Sequence, residues 1–111
     1  MRKTAALVAT LLFACNATAQ AQYDWQVQNA RVTSIEVTYM PSAVLFSIDA
    51  AAGSCPAGGF LRWNGYGADA PAKQSNVKSI FAALVSAKMS GTTIRVYGVN
   101  TNCEVKFFYL G

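Results

Sequence analysis

Any chemistry in this chain has to proceed without imidazole. Its 111 residues include no histidine, and its carboxylates are five: Asp24, Glu36, Asp49, Asp69 and Glu104. These are the only acid/base groups of the usual kind, and no imidazole exists to activate a serine or cysteine. The pairing of carboxylates that the spacing suggests is Glu36 with Asp49, on the outward faces of two consecutive strands. Two solvated strand positions explain them equally well. No phosphate loop, dinucleotide fingerprint or metal-ligand spacing occurs, and Gly58-Gly59 and Gly65-x-Gly67 read as turn glycines. The expectation is a protein that is not an enzyme, binds no metal and takes no cofactor.

Recognition has better material. A pyranose offers apolar C–H faces and fixed hydroxyls, so a sugar site needs aromatic surface beside amide or hydroxyl groups. Trp63-Asn64-Gly65-Tyr66 supplies both where a strand empties into a glycine loop, with Trp25 and Tyr97 as further aromatic contributors. The competing reading packs Trp63 in the core and lays Tyr66 over its rim. Arg62 and Arg95, on strand faces, suit a nucleic acid in a barrel groove. An exported location argues against that partner.

Export is what the N-terminus describes. Met1-Arg2-Lys3 is followed by an apolar run from Thr4 to Ala14 and by Cys15-Asn16-Ala17-Thr18-Ala19-Gln20. This is the form of a secretory signal peptide, too short for a stable membrane span. Residues 1–19 are the expected leader, with cleavage after Ala19 or after Ala21, since Ala17/Ala19 and Ala19/Ala21 both give the small-x-small pattern. The alternative is a lipoprotein signal ending at Cys15, against which bulky Phe13 argues. Outside the leader no apolar stretch is long enough to cross a bilayer.

Removal of the leader leaves about 90 residues, enough for one small domain. Seven basic residues (Arg31, Arg62, Lys73, Lys78, Lys88, Arg95 and Lys106) then face the five acidic ones without forming any run. The two remaining cysteines, Cys55 and Cys103, are expected to form one disulfide in an oxidising compartment.

The elements that must position these residues follow from periodicity. Residues 20–30 read as a flexible lead-in and 31–111 as the domain. Ile35, Val37 and Tyr39 alternate with Ser34, Glu36 and Thr38 along a first strand. After Met40-Pro41-Ser42, a second strand carries Val44, Phe46 and Ile48 inward with Ser47 and Asp49 outward. Phe60 to Asn64 forms a third. Val77, Ile80, Phe81, Leu84, Val85 and Met89 recur at steps of three and four, giving a core-facing helix capped by Ser75 or Asn76 and stopped by Gly91. Thr92 to Val99 and Cys103 to Leu110 complete the strands. In the last, Val105, Phe107 and Tyr109 share one face and Phe108 and Leu110 the other. A strand apolar on both sides calls for a cover, either a neighbouring subunit or the lead-in with Trp25. The fold class is all-β/α+β, a small five-stranded barrel of the oligonucleotide- and oligosaccharide-binding (OB) type with one helix between strands three and four.

The run Ser79 to Tyr97, with Ala-x-x-Ser-Gly leading into Ile-Arg-Val-Tyr, resembles the corresponding helix and strand of subtilase-cytotoxin B-subunit-like proteins. Ile35-Glu36-Val37-Thr38 is similar to that family's opening strand. The resemblance implies a secreted or periplasmic bacterial OB-fold protein related to the binding pentamers of A-B toxins. Such subunits have no enzymatic activity, dock on a host glycan or glycoprotein, and form a homo-pentamer that carries a separate catalytic chain. In the toxin subunit a serine just before the opening strand helps grip a sialylated sugar, and Thr33 is the nearest position here. The expected ligand-binding set is therefore Thr33, Trp63, Asn64 and Tyr66. The alternative function is a monomeric periplasmic envelope protein with a structural or small-ligand-binding role.

Overall fold

The computed structural model describes residues 22–111. The expected leader, with Ala19, Ala21 and Cys15, lies outside the described residues. Six strands and one long helix make up the fold: β1 Trp25–Ala30, β2 Val32–Glu36, β3 Val44–Ile48, β4 Leu61–Trp63, α1 Ala70–Ser90, β5 Ile94–Val99 and β6 Glu104–Leu110. The strands form a mixed sheet in the order β1-β5-β6-β4-β3-β2, with β4 and β6 parallel and the other neighbours antiparallel. It curls into a barrel-like half-barrel, and α1 packs against β2 and β3.

The strand count and the place of the helix correct the expectation. The described residues form six strands, not five, and the helix follows the fourth. The added strand, β1, comes from the segment expected as a flexible lead-in. Trp25 accounts for it. Its ring is only 6% exposed and lies over Gly98 of β5, where a Cβ would collide with the indole. Once that ring is seated, Gln26 pairs with Tyr97 and Val27 with Val96. The polar residues Gln26 and Gln28 face solvent, which is why the segment reads as loop in sequence. A register shift between Val27 and Ala30, with Asn29 at φ 56, precedes the last pair, Ala30 with Ile94.

Arg31 alone separates β1 from β2. Its backbone N–H donates to Asp49 Oδ1 at 2.9 Å, and Asp49 N–H donates to the Arg31 carbonyl at 3.1 Å. Its Nη1 donates to the Gly91 carbonyl at the C-terminal end of α1, at 2.5 Å. A cation at that end also complements the helix dipole. One residue thus ties the bend in the sheet to the end of the helix.

Val44, Phe46 and Ile48 point into the core as expected, each at most 1% exposed. The preceding strand stops at Glu36, so Val37 and Tyr39 lie in the turn before β3 and are about half exposed instead of sharing the face of Ile35. Ser47, expected outward, is buried, and Thr33 and Ser34 each share a hydrogen bond with its hydroxyl at 2.6 Å. Burying a hydroxyl is tolerable because it is bonded.

The helix begins at Ala70, five residues before the expected cap. Asp69 Oδ1 accepts from Ala72 N–H at 2.9 Å, and Pro71 lies in the first turn, where its missing N–H costs nothing. The helix ends at Gly91 (φ 76), as expected. Val77, Leu84 and Ala87 form the buried stripe, with Ile80 and Phe81 packed beside it, whereas Met89 is exposed.

In β6 the faces differ from a simple alternation. Gly98 pairs with Val105 but Tyr97 pairs with Phe107, so Lys106 is an extra residue at a bulge. Beyond it the inward side chain is Phe108, which packs edge-on against Phe46 and Trp63 with centroids 6.1 and 6.5 Å apart. Phe107 and Tyr109 turn outward beside Tyr97. Val105 therefore does not share a face with Phe107 and Tyr109.

The Cys55–Cys103 disulfide forms as expected, with Cα atoms 6.0 Å apart. It joins the loop after β3 to the short 3-10 turn, Thr101–Cys103, that leads into β6. Closing a loop of 48 residues contributes about 4 kcal/mol in the chain-entropy description.

Candidate functional site

A groove of about 480 Å³ opens on the outer side of β3 and β4, lined by Leu45, Phe60, Arg62, Asn64 and Asn102. The elements place these residues for simple reasons. Leu61 and Trp63 point inward from β4 and are buried, so the alternate residue Arg62 must point out. Cross-strand register sets Arg62 between Leu45 of β3 and Glu104 of β6. Asn102, in left-handed conformation (φ 56), lies in the 3-10 turn that the disulfide anchors.

The guanidinium of Arg62 is held in place. Its Nε donates to Asn64 Oδ1 at 2.7 Å, and its Cζ lies 5.6 Å from the centre of the Tyr39 ring. Among the described residues no carboxylate lies within ion-pair distance of it, and Glu104, its register neighbour on β6, pairs with Lys106 at 3.2 Å. A half-buried guanidinium oriented by one nitrogen keeps its remaining N–H donors for something else. Asn64 also borders a second hollow of about 180 Å³ with Ser42, Ala70, Lys73 and Gln74. The site combines an apolar floor (Leu45, Phe60), a cation, and the amides of Asn64 and Asn102. It can hold a polar ligand with one apolar face, and an acidic group on that ligand finds a partner.

The four residues expected to bind ligand are not brought together. Asn64 lines the groove. Trp63 belongs to the core at 4% exposed, and its Nε1 donates to Asn76 Oδ1 at 2.8 Å. Tyr66 is half exposed, with its ring 5.4 Å from that of Trp63 and its hydroxyl donating to the Lys106 carbonyl at 2.9 Å. Thr33 is turned to Ser47. Neither Thr33 nor Tyr66 lines either hollow. Sequence reasoning offers Arg62 as a strand-face cation suited to a nucleic acid and misses Leu45, Phe60 and Asn102 as its neighbours, since their convergence depends on register between β3, β4 and β6.

Three of the five carboxylates accept from backbone N–H groups. Asp24 accepts from Asn100 N–H, Asp49 from Arg31 N–H, and Asp69 caps α1. Glu36 pairs with Leu45 beside the turn, while Asp49 follows the opposite end of β3, so the hairpin does not juxtapose the two. Among the described residues no group of three or more His, Cys, Asp or Glu could hold a metal ion, and no helix is long and apolar enough to cross a membrane.

Comparison with protein-family models, curated proteins and solved structures found no match to this chain.

Proposed function

We propose that the chain is an exported, non-catalytic binding protein that recognises a glycan in the Arg62–Asn64 groove, as a receptor-binding subunit of the subtilase-cytotoxin type. The observation that carries this reading is a guanidinium oriented by Asn64 and Tyr39 beside an apolar floor, with no carboxylate partner among the described residues. Leu45 and Phe60 suit the C–H face of a sugar ring, and Arg62, Asn64 and Asn102 suit its oxygens. Four of the five carboxylates are engaged in caps, backbone bonds or an ion pair, which supports recognition rather than turnover.

The same proposal takes the fold as a five-stranded OB barrel. Joining β1 and β2 through Arg31 as one bent strand supports it. Counted so, the helix falls between the third and fourth strands, and the bent strand pairs with both β3 and β5. Secretion through the leader, assembly into a ring and carriage of a separate catalytic chain belong to the same reading.

A glycan array tests it. The folded mature chain binds a defined subset of glycans, and Arg62→Ala loses that binding while keeping its thermal transition. Silence across the array at high protein concentration removes the proposal. Trp63→Ala is unsuitable as a control because that ring is part of the core.

A further inference from the structure

The groove does not end at Asn64. That residue lines both the groove of about 480 Å³ and the hollow of about 180 Å³, so one side chain walls the two. The turn between β2 and β3 spans them as well. Its Tyr39 ring lies against the Arg62 guanidinium of the first, its Ser42 lines the second, and Ser42 N–H donates to the Tyr39 carbonyl at 2.9 Å. Ligand pockets commonly hold about 300–1,000 Å³, so the smaller hollow serves as an extension of the larger and not as a site of its own.

Each hollow carries one cation and no acid. Arg62 lines the larger and Lys73 the smaller, and neither lining includes Asp or Glu. Among the described residues the one ion pair is Lys106 with Glu104, and Asp69, the acid nearest Lys73 in sequence, caps α1 through Ala72 N–H. Lys73 itself is exposed near the start of α1. At the shared wall Asn64 gives its Oδ1 to Arg62 Nε, and its Nδ2 keeps two N–H donors.

We propose that the groove takes a polyanionic glycan, whose acidic groups, carboxylate or sulfate, repeat along the chain so that one meets Arg62 and a further one meets Lys73. The inference rests on the glycan reading above and names the class of glycan. A glycan with a single acid is satisfied at Arg62 and leaves Lys73 no role. The planar fork of Arg62 matches two oxygens of one acidic group, whereas Lys73 acts as a point charge. Because both cations are reached by solvent, salt weakens the attraction.

The test is calorimetric titration of the folded protein with tetragalacturonate, with its methyl ester, in which the same backbone has its acids masked, with cellotetraose sulfate, and with a tetrasaccharide bearing one terminal uronic acid. Lys73→Ala and Lys88→Ala are carried in parallel, Lys88 lying in the last turn of α1, at the far end from the groove. The expected result is that a polyacid binds at least tenfold more tightly than the ester. Lys73→Ala weakens that polyacid several-fold more than it weakens the single-acid ligand, and Lys88→Ala binds as wild type does. Whichever of tetragalacturonate and cellotetraose sulfate binds more tightly identifies the acid as carboxylate or sulfate. Equal binding of acid and ester, or glycan binding indifferent to Lys73→Ala, overturns the polyanionic class and leaves the glycan reading standing. An equal loss in Lys88→Ala also overturns it, since the attraction then belongs to overall charge. No binding of any of these ligands, together with silence across the glycan array, overturns both.

Discussion

Arg62 and Asn64 lie two residues apart and are joined by their side chains, Nε donating to Oδ1 at 2.7 Å. The bond aims the guanidinium along the groove. Asn64→Ala releases it without disturbing the core. The expected outcome is a thermal transition within about 0.5 kcal/mol of wild type and a several-fold loss of glycan affinity, measured by calorimetry and titration.

The bulge at Lys106 sends Phe108 inward and Tyr109 outward. Phe108→Ala therefore removes ring packing against Phe46 and Trp63 and costs about 2–4 kcal/mol. Tyr109→Ala removes a ring that is 43% exposed and costs under about 1 kcal/mol. Urea unfolding of the two variants checks the assignment, and the reverse order contradicts it.

Much of this was readable from residues. The alternation of Val44, Phe46 and Ile48, the glycine stop at Gly91 and the pairing of Cys55 with Cys103 all appear where periodicity and composition put them. What escaped were features created by long-range fit. Trp25 makes a strand of polar residues by packing over Gly98, some seventy residues away in sequence. An extra residue in β6 exchanges its faces, and a period-two reading carries the error to the end of the strand. The groove escaped for the same reason, since Leu45, Arg62 and Asn102 meet only once β3, β4 and the disulfide-bound turn are in register.

The start of α1 offers a clean contrast between caps. Asp69→Ala removes the acceptor for Ala72 N–H and is expected to cost about 1 kcal/mol. Ser75→Ala, at an exposed position inside the helix, is expected to change stability by less than about 0.5 kcal/mol. Asn76→Ala is a different matter: Trp63 Nε1 and Tyr66 N–H both donate to its Oδ1. Leaving the buried indole N–H unpaired costs about 1–3 kcal/mol, visible in denaturant midpoints.

Reduction of the Cys55–Cys103 bridge frees a loop spanning 48 residues and loosens the turn that carries Asn102. The Cys55→Ser/Cys103→Ser variant is expected to lose about 2–4 kcal/mol of stability against chemical denaturant. Glycan binding, measured where the variant is still folded, is expected to weaken as well, because one wall of the groove is no longer anchored.

The central claim is that the Arg62 guanidinium reads a glycan. Isothermal titration of the best array ligand into wild type and into Arg62→Ala, both shown folded by their thermal transitions, tests it most directly. The account predicts at least a tenfold weaker dissociation constant for the variant, about 1.4 kcal/mol. Equal affinity in the two proteins contradicts it.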